Sequence, residues 1–307
     1  MINFRYHVVS LTAVFLALAI GLVVGTAALN GPVADSLREQ VNVLGQQNQE
    51  LRDRVNHLNN DVEQREEFAT QLAPVVLANR LTGDRVLVVS LPSGQEYVED
   101  VVAMIETADA TVTGRIEIKD KFTDPANNAE LLDLAHVSQP ASVAGGLPTN
   151  SDGVESSSAL LAAVLMDRAP AVSAADLRAV LTAYRTDGYI GFPREITATA
   201  EAVVLVSGPP VTGEEATRKN AAALTLVDQF DNAGNIVVAA SADAGDGNVI
   251  AELRGDPQLS KNVSTVDNVS TPQGRLVTAW AVADQIAGRV GHYGIGTGAT
   301  LLPKKTQ

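Results

Sequence analysis

Residues that commonly carry chemistry are few in this chain and stand far apart. The chain has no cysteine among its 307 residues, three methionines and four histidines. The histidines are at positions 7, 57, 136 and 292, and the methionines are at positions 1, 104 and 166. Metal sites use thiolate, thioether, imidazole or carboxylate ligands at short spacings, and no pair of these histidines and methionines has such a spacing. The sequence therefore excludes thiolate catalysis and cysteine-bound metals, and it leaves metal-binding residues unknown.

Three short loops are the best candidates for a ligand site, because each follows an apolar run that is typical of a buried strand. They are SLPSG (Ser90–Gly94), SGPP (Ser207–Pro210) and SADAGDGN (Ser241–Asn248). Ligands of open α/β sheets bind at the carboxyl ends of strands. The third loop carries Asp243 and Asp246 without a lysine or arginine, so it would repel a phosphate and is not a nucleotide fingerprint. A weak divalent-ion site and an ordinary solvated loop are both open for it.

A second glycine-rich segment, GIGTG (Gly294–Gly298), imitates a dinucleotide-binding motif but has no helical pattern after it. We expect it to be a flexible tail. No nucleophile elbow, Walker sequence or metalloprotease helix occurs in the sequence. His136 and His292 are expected to be structural, because no motif accompanies either of them. The sequence therefore predicts a protein that is not an enzyme, without catalytic residues and without an evident cofactor.

Composition and charge narrow the class of protein. Apolar residues make up 46% of the chain, enough for a sizeable core, and the formal net charge is −14 with a pI near 4.7. An acidic surface repels polyanions. Nucleic acid is therefore excluded as a partner, and the length favours one or two domains.

The stretch from Val8 to Leu29 is apolar or small except for three hydroxyl residues, and no charge lies between Arg5 and Asp35. About 20 such residues in a helix cross a hydrocarbon core of about 30 Å, whereas a signal peptide has an apolar region of about 7 to 15 residues. We predict a retained membrane anchor over residues 1–30. The cleavage-like Gly25–Ala27 leaves a removed signal peptide as the alternative. The flanking charges predict a short N-terminus inside the cytoplasm and a C-terminal domain outside it.

Small residues recur along one side of this span, at Ala13, Ala17, Gly21 and Gly25. Gly21 and Gly25 form a GxxxG pair, which lets two helix backbones approach closely in lipid. The stripe predicts self-association of the anchor. The alternative is the ordinary frequency of glycine and alanine in membrane helices.

A heptad pattern follows Pro32, with apolar residues at alternating intervals of four and three. Its a positions are Val41, Asn48, Val55, Val62 and Ala69, and its d positions are Leu37, Leu44, Leu51, Leu58, Arg65 and Leu72. Branched residues at a with leucine at d favour a parallel two-stranded coiled coil, and a single asparagine at a fixes the register. We predict a coiled-coil stalk over residues 33–73 that makes a parallel homodimer and stops at Pro74. The alternative is a long amphipathic helix packed on its own globular domain.

Strand and helix patterns alternate beyond the stalk. Unbroken apolar runs such as Arg85–Pro92, Ala202–Val206 and Asn235–Ala240 are typical of strands buried on both faces of a parallel sheet. Helical patterns lie between them, one opened by Ser173 and one opened by a capping box from Thr212 to Glu215.

The predicted fold class is therefore α/β. It consists of a single N-terminal transmembrane helix, a parallel dimeric coiled coil, and a three-layer α/β domain with a mostly parallel sheet over residues 84–302. Residues 139–158 are rich in glycine, serine and proline. We predict that they form a flexible insertion.

Three parts of the sequence resemble a known family: the start MINFRYHVVSLTAVFLALAIGLVVG, the heptads after it, and the ending HYGIGTGATLLP. Over essentially its whole length the chain resembles the actinobacterial copper-transporter family whose named member is MctB. That resemblance implies a cell-envelope membrane protein of copper homeostasis or export. It also implies an outer-membrane location for some members, and copper as a ligand by resemblance alone. The chain also resembles SteB, which implies a dimeric scaffold that regulates peptidoglycan remodelling in cell division.

The predicted partners are a second copy of the chain, the lipid bilayer, and an envelope or division protein. A one-helix anchor cannot enclose a channel unless several copies assemble. We therefore expect copper homeostasis as the process rather than a pore formed by one chain.

Overall fold

A computed structural model of the chain describes residues 4–29, 31–143, 145–150, 152–193, 195–211, 213, 215–241 and 247–303, without the side chains of residues 28, 29, 32 and 33. The chain divides into two compact units, Met1–Arg65 and Glu66–Gln307. The described part of the first unit is helical, and the second unit contains the α/β domain.

Helix α1, Phe4–Leu29, has the length and composition of a membrane span. Its apolar part, Phe4–Ala27, has a mean hydropathy of 2.6 and is exposed. At 1.5 Å per residue, α1 is about 39 Å long, which exceeds a hydrocarbon core of about 30 Å. The Thr12 hydroxyl donates to the Val8 carbonyl at 2.8 Å, so this polar group is satisfied inside the helix, as lipid requires. Within the described residues, α1 is the one helix long and apolar enough to cross a membrane.

Helix α2, Pro32–Leu77, is a single helix of 46 residues. It begins with a proline, whose missing N–H costs no hydrogen bond at the first position of a helix. Helix α1 ends at Leu29, and α2 begins at Pro32. Asn30 lies outside the described residues.

The last turns of α2 differ from the prediction. The helix continues through Pro74 to Leu77, although proline removes one helical hydrogen bond. Leu77 is fully buried, and full burial of a leucine stabilises by about 1.5–3 kcal/mol, which offsets that loss. Ala73 packs in the same core, and Ala69 is 6% exposed. Ala69, which was predicted at the dimer seam, is therefore covered by its own chain.

Seven strands form one sheet in the order β3-β2-β1-β4-β5-β6-β7. They are β1 Arg85–Ser90, β2 Thr111–Ile118, β3 Ile190–Gly191, β4 Ala202–Ser207, β5 Asn235–Ala240, β6 Ser264–Val266 and β7 His292–Tyr293. The β2–β3 pair is antiparallel, and the other five neighbouring pairs are parallel. The prediction of a mostly parallel sheet is confirmed.

The helices of this unit precede, connect and follow the strands. After α2 they are α3 Val98–Thr107, α4 Asp120–Thr123, α5 Asn128–Ser138, α6 Gly153–Leu165, α7 Ala174–Thr186, α8 Ala216–Ala233, α9 Val249–Gly255, α10 Leu259–Asn262 and α11 Pro272–Ile286. Short 3₁₀ turns at Pro92–Tyr97, Pro125–Asn127 and Ala141–Val143 complete the connections.

Helices cover both faces of the sheet, which explains the unbroken apolar runs. Along β1, Leu87 and Val89 face a core shared with α5 to α9, while Val86 and Val88 face a core shared with α3, α11 and the end of α2. Successive side chains of a strand point to opposite faces. A strand that is covered on both faces therefore needs an apolar residue at every position.

The last part of the predicted flexible insertion, residues 153–158, is instead helical. Helix α6 begins at Gly153, and the Asp152 carboxylate caps it by accepting the Val154 N–H at 2.9 Å. The side chains of Ser156–Ser158 are fully buried. A Cβ on Gly153 would overlap the backbone of Asn128. Small residues here allow close helix packing rather than freedom of the chain.

Helix α8 begins at Ala216, later than predicted. Thr212 lies outside the described residues, and Glu215, predicted inside the first turn, instead precedes the helix. The helix ends at Ala233, and Gly234 is its C-cap. The predicted cap of α7 is confirmed, since the Ser173 hydroxyl accepts a backbone N–H at 3.1 Å.

Replacing Leu77 with alanine should lower the free energy of unfolding of the α/β domain by about 2–5 kcal/mol, because it removes buried methyl groups and leaves a cavity. Urea unfolding of the detergent-solubilised chain, followed by the fluorescence of Trp280, the single tryptophan, measures this loss. The matched control is Leu301→Ala, which removes an exposed leucine outside the predicted dimer seam. An equal loss in both variants would contradict the role assigned to Leu77.

Candidate functional site

The three candidate loops meet at the carboxyl ends of the parallel strands, where they line a cleft of about 170 Å³. They follow β1, β4 and β5, and the third contributes Gly247 and Asn248 to the lining. The strand order reverses between β1 and β4. Open α/β sheets place ligands at such a reversal. The structure thus brings together three segments that are far apart in sequence.

The loops after β1 and β4 pack backbone against backbone beside this cleft. The Leu91 N–H donates to the Val206 carbonyl at 2.9 Å, and the Gly208 N–H donates to Ser93 Oγ at 3.1 Å. A Cβ on Gly94 would overlap the Val206 backbone, and a Cβ on Gly208 would overlap that of Ser93. Gly94 and Gly208 therefore allow the backbones of the two loops to approach each other closely.

The polar groups of the cleft are paired with each other. Lys219 Nζ lies 3.0 Å from the Asp120 carboxylate and 3.6 Å from that of Glu215, and the hydrogen bond with Asp120 raises the pKa of the lysine. The buried Asn220 amide donates to the Gly247 carbonyl at 2.6 Å. Most other lining residues are apolar. Among the described lining residues no nucleophile lies beside a general base, so the cleft resembles a small apolar pocket with a polar rim.

The segment Gly294–Gly298 is not the flexible tail that was predicted. The backbone N–H groups of Ile295 and Gly296 donate to the Asp267 carboxylate at 2.7 and 3.0 Å. Asp267 is 2% exposed, and it also forms an ion pair with Arg254 at 2.8 Å. The prediction was wrong because the acceptor lies 28 residues earlier in the sequence, where no local pattern reveals it.

Arg254 completes this buried cluster from helix α9. Its Nε donates to the Thr265 hydroxyl at 2.9 Å, and its Nη2 donates to the Tyr293 carbonyl at 3.0 Å. Removing two charges from water is costly unless further hydrogen bonds satisfy them, and these contacts do so. Sequence reasoning missed Arg254 and Asp267. The available signal was a single aspartate directly after the short strand β6.

His292 belongs to the same cluster and has a structural role. Its Nε2 lies 3.0 Å from the Ser260 carbonyl, and its Nδ1 lies 2.9 Å from the Thr265 hydroxyl. A carbonyl only accepts, so the hydrogen bonds assign the proton to Nε2 and leave Nδ1 as an acceptor. Burial, and then the charge of Arg254, lower the pKa of His292. The neutral imidazole is therefore the form that fits.

The predicted seam residues of α2 lie along one side of an exposed helix. Seven of them are 50–65% exposed: Leu37, Val41, Leu44, Leu51, Val55, Leu58 and Val62. Asn48 is exposed between them, and Leu72 is 37% exposed. A row of large exposed apolar side chains is typical of a surface that another molecule covers. The structure holds one chain, so the coiled-coil dimer stays a prediction.

The small-residue stripe of α1 is also exposed to its surroundings. Ala13 and Ala17 line a shallow open groove along the helix, and a Cβ on Gly21 or Gly25 would meet nothing within 4 Å. Packing within the described chain therefore does not require these glycines. Self-association through the stripe stays a prediction.

Comparison with known proteins decides the family. The family model described as "Copper transport outer membrane protein, MctB" matches residues 1–303. The chain belongs to the MctB family. The proteins named "Copper transporter MctB" in Mycobacterium tuberculosis and Mycobacterium bovis are 30% identical to it over 97% of this chain and 98% of theirs. The protein of that name in Mycobacterium leprae is 29% identical over 98% of this chain and 99% of its own.

Membership of the MctB family confirms the first resemblance seen in the sequence. It makes the chain a membrane-anchored protein of a copper-transport family. The matched family and relatives are named for copper transport. These matches give no support to the alternative of a SteB-like scaffold in cell division.

Residues that could hold copper are not grouped in the described part of this MctB-family chain. No cluster of three or more histidine, aspartate or glutamate side chains able to hold a metal ion occurs there. Copper(I) prefers soft sulfur ligands, but Met166 is buried in one core and Met104 packs against the other, on opposite faces of the sheet. Asp243 and Asp246 lie outside the described residues. The divalent-ion hypothesis for their loop is therefore untested, and metal-binding residues stay unassigned.

Replacing Gly294 with alanine should destabilise the C-terminal segment. The residue has a φ of +125°, and its new Cβ would overlap the Asp267 carboxylate. We expect a loss of about 2 kcal/mol or more in the free energy of unfolding, and faster hydrogen exchange at Ile295 and Gly296. Gly298→Ala is the control, since Gly298 also has a positive φ of +79° but nothing within 4 Å of an added Cβ. Equal effects of the two variants would show that contact with Asp267 is unimportant.

Stability should fall on acidification because of His292. Burial holds the folded-state pKa of His292 below the ordinary histidine value of about 6.5. Just below that pH the unfolded chain therefore binds a proton that the folded chain does not. The stability is fully present above the unfolded pKa, and it is lost as the pH falls through the folded pKa. Urea unfolding at a series of pH values should show a shallower loss in His292→Gln than in the wild type. The control is His136→Gln, at an exposed position, whose stability should depend on pH as that of the wild type does. If the stability of His292→Gln depended on pH as steeply as that of the wild type, the role assigned to His292 would be refuted.

Proposed function

We propose that this protein is a non-enzymatic envelope protein of the MctB type that supports copper homeostasis by promoting copper export. The observation that carries the proposal is the copper-transport family match over residues 1–303. Named copper transporters align with 97% of this chain and 98% of theirs. The similarity is therefore not confined to the apolar anchor, and it includes the heptad helix and the α/β domain.

In this proposal, α1 is a retained anchor in the cell membrane. Arg5 precedes the uncharged stretch Val8–Leu29, and Asp35 follows that stretch without a cation between them. Positive charge on the N-terminal flank favours retention of that flank in the cytoplasm. The α/β domain then lies outside the cytoplasm. Outer-membrane placement is the alternative that the family description suggests.

In the same proposal, the functional form is a parallel dimer paired along α2. Full burial of a leucine or valine stabilises by about 1.5–3 kcal/mol, and each chain exposes seven such residues along the seam between Leu37 and Val62. That gain exceeds the cost of about 1 kcal/mol for Gly45 inside the helix. Two chains anchored in one membrane run parallel, and Asn48 at an a position sets their register. The small-residue stripe of α1 adds a second contact within lipid.

One anchor helix per chain does not enclose a pathway for an ion. The proposal therefore gives this chain a supporting part in export, as a dimer or larger assembly with an envelope partner, and copper is the cargo of that process. The paired polar groups of the cleft at the sheet edge support a binding or structural role for the α/β domain rather than catalysis.

Cells without the gene for this chain should contain more copper and tolerate less of it, and the wild-type gene should restore both properties. The variant carrying Leu51→Glu and Leu58→Glu should be monomeric and should fail to restore them, because charges at two d positions oppose pairing. Copper content by elemental analysis and oligomer mass in detergent are the measurements.

The matched control carries Asn56→Glu and Asn60→Glu, which add the same charge on the opposite side of the same helix. It should remain dimeric and active. Unchanged copper content after deletion would defeat the copper role. A dimeric, active Leu51→Glu and Leu58→Glu variant would instead defeat the predicted seam. Intact mass of the membrane fraction checks that α1 is retained.

A further inference from the structure

The end of α2 has two apolar faces, and the α/β domain covers one of them. Ala69 and Ala73 are 6% and 2% exposed, whereas Phe68 and Val75 are 66% and 76% exposed. One step along an α-helix turns by about 100°, so Phe68 points well away from the side of Ala69. Phe68 and Val75 are thus exposed to solvent on a segment whose other face packs against the α/β domain of the same chain.

The exposed side chains repeat as a coiled-coil seam does. Phe68, Leu72 and Val75 are separated by intervals of four and three, and all three are exposed. The upstream seam reaches Val62 and then Arg65. A regular heptad would continue to Ala69, but that residue is covered.

Phe68 is the next exposed apolar residue, three positions after Arg65 instead of four. An extra interval of three is a stammer, a discontinuity that coiled coils accommodate by local overwinding.

We propose that two copies of this chain also pair along the end of α2 through Phe68, Leu72 and Val75, in a shifted seam where Phe68 replaces Ala69 beyond Arg65. The proposal rests on the dimer of the proposed function. The occupant of this face is the second copy, because the face continues the row of exposed apolar residues along the same helix. In a parallel pair each of these residues meets its own counterpart.

The surroundings of this face fit pairing between two such helices. On one side lies the surface covered by the α/β domain, through Ala73 and Leu77. On the other side lies a polar border, where the Gln71 side chain donates to the Glu67 carboxylate at 3.0 Å. Phe68 and Leu72 each lie about 100° around the helix from the neighbouring covered alanine. Each domain therefore stays beside its own helix and leaves the pairing face open.

The absence of cysteine from the chain makes single-cysteine cross-linking a clean test. The variants are Leu51→Cys in the upstream seam, Phe68→Cys and Val75→Cys in the shifted seam, and Thr70→Cys as the control. Thr70 is exposed and lies two residues, or about 200°, from Phe68, so it faces away from the proposed partner. A disulfide needs Cα atoms within about 7 Å, which only facing positions provide. The full chain is oxidised in membranes, and dimers are scored on a non-reducing gel.

We expect disulfide-linked dimers for Leu51→Cys, Phe68→Cys and Val75→Cys. We expect no disulfide-linked dimer for Thr70→Cys. A maleimide in the absence of oxidant should label positions 68 and 75 several-fold more slowly than position 70. Cross-linking at position 51 with none at positions 68 and 75, and equal labelling at all three distal positions, would overturn the shifted seam and leave the upstream dimer intact. No cross-linking at position 51, with a monomeric mass, would instead overturn the dimer of the proposed function.

Discussion

The packing of Ala73 and Leu77 against the sheet is the constraint on which the rest of the second unit depends. It holds the last turns of α2 in the helical conformation in spite of Pro74. It also determines which face of the helix is covered by the chain itself. If the other face packed on the domain, Phe68 and Val75 would be buried and the alanines would be exposed. Because the alanines are small, the helix approaches the core closely, and the larger side chains remain available to a partner.

The buried cluster around Asp267 shows a second use of tertiary contacts. One carboxylate accepts two backbone N–H groups of the glycine-rich segment and pairs with Arg254, so the C-terminal strand β7 and its following loop are fixed to the edge of the sheet. Such a cluster is stable only when every polar group is satisfied. The backbone of GIGTG therefore binds a carboxylate of the same chain, an anion like the phosphate that such glycine-rich motifs bind.

The copper-transport family and the chemistry of the described residues are consistent with the proposal that copper is handled by an assembly. Met166 lies in one hydrophobic core and Met104 packs against the other. Their side chains therefore contact apolar neighbours. The cleft at the reversal of strand order has polar groups that are paired with one another. These features support an envelope protein that acts through anchoring and association, which is the function proposed for this chain.

Periodicity in the sequence was sufficient to predict the two long N-terminal helices and three central strands. Continuous apolar length indicated α1, the heptads indicated α2, and apolar runs bounded by turn residues indicated β1, β4 and β5, because each pattern reflects the environment of a single segment. The three loops of the cleft could also be named, since strand ends in a parallel sheet share an edge. The serine-rich start of α6, the burial of Ala69, and the anchoring of GIGTG by Asp267 could not be predicted in this way. Each depends on which distant segment lies opposite, and a local pattern carries no record of a partner that only the folded chain brings into contact.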